Sequence, residues 1–388
     1  IIIMLINRKN ELLKKAIFIL FFTAVAVFYL YLFIYLERKV LNISNIYHPD
    51  SKYYFETFKD NSYFSIYFSF FQNIKNFFLS YLSNQLYPSI INLIYEITNI
   101  VNQTENPRIF GFISIEFLRE SFYRNVIKFN MLAYVLGNLL ILFAYFKNFK
   151  KEAINFKNLL LLTIILFLPY KTHLYSNILK DGIVLFLLIF FFTNKKIYSL
   201  IISVFIGLSI RWGFILYFLL FINKKIFSNK NLKIISAIIF ILCIFIFFNF
   251  IYTDGNIIES LIKYVKERTN STMGGRDYDM VPSYNHIPYG GLIRGIIWPI
   301  LFLSGLFVLY TESYLFYVLA FEILLIQIFV YLFYKKFIFN LNLFVVIFII
   351  GIYTSTFTSF FRYAYLAFYV STLISFLSLK SPNLIKLK

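Results

Sequence analysis

Charge is scarce in this chain of 388 residues: only 14% are Asp, Glu, Lys or Arg, while 60% are hydrophobic and the mean hydropathy is +0.74. A soluble domain covers its surface with charged side chains, and a disordered chain needs even more of them, so both classes are excluded. Cysteine is nearly absent. The one cysteine, Cys243, sits in the apolar run ISAIIFILCIFIFFNF, so no intrachain disulfide can form and a secreted disulfide scaffold is excluded as well. The sequence also lacks a Walker A loop, a GxGxxG turn, an HExxH helix, paired CxxC motifs and a GxSxG elbow. A nucleotide-driven pump, a zinc protease and a serine hydrolase of the elbow type are therefore not expected, and neither is a nucleic-acid partner. Histidine is limited to His48, His173 and His286, too scattered in sequence to read as a metal cluster.

What the chain has is aromatic and basic. There are 52 Phe and 32 Tyr, and 37 basic against 18 acidic residues give a net charge of +19. Phe, Ile, Lys, Asn and Tyr all have AT-rich codons, so composition alone does not specify a function. Position is more informative. A bilayer core needs roughly 20 apolar residues per helix. Clear runs of that kind are Ala16 to Leu36, Val126 to Phe146, Ile234 to Tyr252, Tyr314 to Tyr334, Phe337 to Tyr353 and Tyr363 to Leu379. Two longer runs read as hairpins: Leu159 to Phe192, interrupted by PYKTHLYSNILKD, and Ile197 to Ile222, interrupted by Arg211-Trp212-Gly213. The expectation is an all-α polytopic membrane protein of about ten spans, a single membrane domain over residues 1–388. The first methionine is Met4, and Ala16 to Leu36 lacks a small-residue cleavage site, so that stretch reads as a retained helix.

Lysines set the orientation, because short cytoplasmic loops are enriched in basic residues. Lys14 and Lys15, Lys150 and Lys151, Lys195 and Lys196, Lys224 and Lys225, and Lys335 and Lys336 recur at alternate span ends. One topology satisfies them all, with both termini in the cytoplasm. It requires Gly291 to Tyr310, which holds Arg294 and Pro299, to be a re-entrant or interfacial segment. The bulk then lies outside: a long loop at 37–125 with amphipathic stretches such as NSYFSIYFSFFQNIKNFFLSYL, and 253–310, a loop plus the re-entrant segment.

Arginine follows the opposite rule. Of ten arginines only Arg8 is cytoplasmic in this topology; Arg38, Arg108, Arg119, Arg124, Arg211, Arg268, Arg276, Arg294 and Arg362 fall at or beyond the outer boundary. A guanidinium binds phosphate through a bidentate fork and stays charged when partly desolvated, so an anionic ligand near the outer leaflet is the simplest cause. The plainer alternative is anchoring to headgroups or pairing with outer acids such as Glu116 and Asp277. Arg211 and Arg362 stand out because each interrupts or borders an apolar run, where a charge costs a few kcal/mol.

Two motifs carry titratable groups. In HPDSKYYFE, Asp50 could act as a general base toward a sugar hydroxyl or hold a divalent metal, or simply cap a helix. In PYKTHLYSNILKDGI, Lys171, His173, Lys180 and Asp181 crowd what reads as a short outer turn between apolar helices, a candidate for catalysis or ligand binding.

These motifs, together with SIRWGF, LIRGIIWPI and FFRYAYLAFYV, give a layout that resembles bacterial polytopic glycan-assembly enzymes: the O-antigen and capsule repeat-unit polymerases and the related GT-C-type membrane glycosyltransferases. The resemblance implies a bacterial inner-membrane enzyme that uses polyprenyl-phosphate or polyprenyl-pyrophosphate sugars on the outer face. It implies Asp50 in the place of the GT-C acidic base, and Arg211, Arg294 and Arg362 as phosphate binders. Asp50 has no second acid in an Asp-x-Asp pattern, which favours a metal-independent polymerase with no cofactor, although a divalent metal at Asp50 stays open. Asp50, His173 and Asp181 are then the catalytic candidates. Arg119, Arg124, Lys171, Lys180, Arg211, Arg276, Arg294 and Arg362 are the candidates for binding the lipid-linked sugar. A single-sugar transferase, a flippase of lipid-linked oligosaccharides and a non-enzymatic membrane protein remain the rivals.

Overall fold

A computed structural model describes residues 2–36, 115–149, 155–176, 180–194, 196–210, single positions between 214 and 238, and 290–310, 314–334, 341–354 and 357–377. Among these the chain is entirely helical, with no strand. The helices fall into two compact units, one formed between Ile2 and Asn194 and the other between Ile197 and Leu377.

The first unit is arranged around one long helix. α1 (Ile2–Tyr35), α2 (Ile115–Phe149), α3 (Phe156–Leu166), α4 (Pro169–Ser176) and α5 (Lys180–Asn194) follow in order, and α1, α4 and α5 all pack on α2. Aromatic rings form much of that packing: Phe18 meets Phe146 edge-on at 5.2 Å, and Tyr29 meets Phe167 at 5.4 Å. The opposite face of α1 is bare, with Leu20 and Phe28 each 69% exposed. A row of exposed large apolar side chains suits a lipid solvent and would be a liability in water. Asn155 caps α3, its side-chain oxygen accepting from the Lys157 amide at 3.1 Å. Pro169 then opens α4 at a first-turn position, where its missing N–H costs least.

The second unit contains α6 (Ile197–Ile210), α7 (Gly290–Ser304), a 3-10 turn (Leu306–Tyr310), α8 (Tyr314–Tyr334), α9 (Leu341–Tyr353) and α10 (Phe357–Leu377). α10 is its inner helix, buried along most of its length. Trp298 and Phe302 of α7 pack against Phe360 of α10 at 5.4 and 6.0 Å, and Phe307 meets Phe361 at 4.4 Å. α7 and α9 cross where both lack side chains: a Cβ on Gly351 would lie 3.0 Å from the Gly295 Cα and 3.1 Å from the Arg294 carbonyl oxygen. Gly305 ends α7 with φ +73°, a conformation that suits glycine alone without strain.

Five helices among the described residues are long and apolar enough to cross a membrane: Lys15–Tyr35, Lys128–Phe149, Phe156–Ser176, Phe316–Phe333 and Ser359–Leu377. They match the expected spans beginning near Ala16, Val126, Leu159, Tyr314 and Tyr363. Two shorter apolar helices, Tyr198–Leu208 and Leu341–Ile352, cover parts of other expected runs, and a third, Gly290–Ser304, falls in the segment expected to be re-entrant or interfacial. The run from Ile234 to Tyr252 lies outside the described residues apart from Ile234 and Ile238. One reading needs correction. PYKTHLYS, expected as a short turn, is the helix α4 and is buried, because Pro169 starts a new helix and the polar groups find partners inside the bundle.

Candidate functional site

Helical periodicity on α2 prepares the site in the first unit. Asn130, Tyr134 and Asn138 recur at intervals of four residues, so they form one polar stripe along α2, and all three are buried. The stripe faces the junction of α3 and α4. There α3 runs out of donors: Pro169 has no N–H to return to the Ile165 carbonyl, and the last carbonyls of any helix lack intrahelical partners.

Lys171 answers them. Its ammonium donates to the Asn138 Oδ1, to the Leu166 carbonyl at 3.1 Å and, at 3.5 Å, to the Ile165 carbonyl. It also lies 5.0 Å from the centre of the Tyr134 ring, and the Tyr134 hydroxyl donates to the same Leu166 carbonyl at 3.1 Å. Thr172 reaches the Tyr134 hydroxyl at 3.5 Å, and the Tyr175 ring stands edge-on to Tyr134 at 5.3 Å. Lys171 is 1% exposed. A cation so placed neutralises the negative end of α3.

His173 lies on the same helix, buried, with its ring 5.8 Å from that of Tyr170, and its carbonyl accepts from the Ser176 hydroxyl at 3.1 Å. Asp181 is also fully buried, in the first turn of α5, where the helix dipole favours a carboxylate. Lys180 begins that helix and is half-buried. The two helices are drawn together at Gly182, where a Cβ would meet the Leu174 carbonyl oxygen at 2.9 Å. Lys171, His173, Lys180 and Asp181 therefore do sit on two adjoining helices, as their crowding in sequence suggests. Lys171 differs from expectation in what it contacts: it points at backbone and amide oxygens of its own fold.

The second unit holds Arg294 and Arg362. Arg294 has no exposed surface; its guanidinium lies 5.6 Å from the Trp298 ring centre and donates at 3.5 Å to the Ile352 carbonyl, in the last turn of α9. Arg362 lies in the second turn of α10 and is half-buried. Beside it in the helix, the Tyr363 carbonyl accepts from the Tyr217 hydroxyl at 3.2 Å. Arg119 and Arg124 belong to the first turns of α2, where only the backbone is described. Asp50, Arg211 and Arg276 lie outside the described residues.

Sequence reasoning passed over two groups. One is the α2 stripe, whose four-residue spacing of Asn and Tyr was there to be seen. The other is Glu322, a lone carboxylate within the long apolar helix α8, buried and accepting from the Tyr365 hydroxyl of α10 at 3.0 Å. An acid inside an apolar span is costly, so its presence alone was a signal. Among the described residues no three His, Cys, Asp or Glu side chains come together to hold a metal ion.

No protein-family model, curated protein or solved structure matches this chain.

Proposed function

We propose that the protein is a glycan-assembly enzyme of the bacterial inner membrane, which polymerises or transfers polyprenyl-(pyro)phosphate-linked sugars on the outer face. What supports the reading is a segregation in the expected topology: lysine pairs recur at the cytoplasmic span ends, while nine of ten arginines fall at or beyond the outer boundary. The finer topology belongs to the same proposal: about ten spans, both termini inside, and Gly291 to Tyr310 entering without crossing.

In this mechanism guanidinium groups hold the pyrophosphate of the donor, with Arg211, Arg294 and Arg362 the first candidates. Asp50, His173 and Asp181 are the candidates for the base that takes the proton of the acceptor hydroxyl. The acceptor oxygen forms the new bond to the sugar C1 as the bond from C1 to the phosphate oxygen breaks. The carrier leaves as its pyrophosphate, whose growing charge the arginines stabilise. Lys171 is left out of this set, because its ammonium is committed to the end of α3.

In a strain making a lipid-linked polysaccharide, Arg211→Ala and Arg362→Ala should each shorten the product to one or a few repeats. Normal chain length in both would overturn the polymerase. Loss of all product with Asp50→Asn, and a wild-type product extended by a single sugar, would instead identify a single-sugar transferase. A flippase is the second reading, favoured by the broken span α3–α4 with a buried charge at the break. It predicts that glycan-bearing lipid accumulates on the cytoplasmic face in the absence of the protein.

A further inference from the structure

Oxygen atoms converge at the broken end of α3. The Asn138 Oδ1, the Leu166 carbonyl and the Ile165 carbonyl surround a single point, and the face of the Tyr134 ring closes one side at 5.0 Å. Two of the three are terminal carbonyls of a helix, carrying its negative dipole end. All three are acceptors. An ammonium brings three hydrogens, one for each of them. Backbone carbonyls at the ends of interrupted membrane helices are also the oxygen set that takes monovalent cations in place of their hydration shell.

We propose that this point is a monovalent-cation site whose cation is supplied from within, the tethered ammonium of Lys171. The reading does not depend on what the protein catalyses. Lys171 leaves α4 two residues after Pro169, so its four-carbon stem can return past the break to the carbonyls that Pro169 cannot reach. Deleting the side chain should vacate an oxygen-lined site of the right charge and leave room for a free ion. Replacing it with methionine should fill the same space without the charge.

The test uses the full-length protein purified in detergent and follows thermal unfolding at equal ionic strength in choline, potassium or ammonium chloride. Lys171→Ala should unfold at a lower temperature than wild type in choline chloride, and recover about half or more of that loss in potassium or ammonium chloride, as binding to the folded state alone requires. Wild type and Lys171→Met should respond alike to all three salts, with Lys171→Met the less stable of the two. A Lys171→Ala protein whose unfolding is the same in the three salts overturns the proposal, as does a Lys171→Met protein as stable as wild type. Should Lys171→Ala fail to fold, Asn138→Asp decides: a carboxylate facing a tethered cation raises the unfolding temperature, and a lowered one overturns the site.

Discussion

Gly182 and Lys171 sit eleven residues apart and hold the same junction by opposite means, one by having no side chain and the other by having a long one. At Gly182 an added methyl would press on the Leu174 carbonyl oxygen at 2.9 Å and on the Tyr175 ring at 3.1 Å. Neither backbone oxygen nor fully buried ring can step aside. Gly182→Ala should therefore lower stability by about 1–3 kcal/mol, seen as earlier thermal unfolding in detergent. Residues of this kind are poorly legible beforehand. Gly182 in LKDGI follows the charges that open a helix, and only the packed helices show that it is a contact. Glu322 was more legible, since an acid in an apolar run of that length demands a partner; the identity of the partner, Tyr365, comes from another helix 43 residues away.

Elements were visible in sequence wherever apolar length alone decides them. α8 and α10 lie close to the runs that predict them, and α1 and α2 contain theirs but begin 14 and 11 residues earlier, because a bilayer demands uninterrupted apolar length and sets no limit on how far a helix extends beyond it. The elements that deviate are the short ones. PYKTHLYS looks polar enough for a turn, yet it is a buried helix because the stripe of Asn130, Tyr134 and Asn138 on α2 receives its polar side. A pairing across 33 residues, Lys171 with Asn138, cannot be inferred from either segment separately. The crossing of α7 with α9 is another such case. Gly351→Ala should force the two backbones apart at a 3.0 Å contact, costing about 1–3 kcal/mol and showing first as faster amide exchange in α7 and α9.

At the scale of the whole molecule, charge placement makes a prediction that packing does not. In a Cys243→Ser background, single cysteines at Lys150 and Lys195 should resist a membrane-impermeant thiol reagent applied to intact cells, and one at Asn102 should react. Reaction at Lys150 or Lys195 would overturn the orientation, and with it the argument that places arginine on the outer face.

Composition and periodicity determined that this chain is an α-helical protein suited to a membrane, since apolar length and basic flanks are properties of the chain taken one segment at a time. They also singled out Lys171, His173, Lys180, Asp181, Arg294 and Arg362 as polar groups that need a reason. Which oxygens Lys171 serves, that His173 and Asp181 lie on helices pressed together at Gly182, and that Arg294 faces Trp298 and the end of α9 were decided by the tertiary structure. In an apolar interior every polar group must find its partner within the protein, and those partners are distant in sequence.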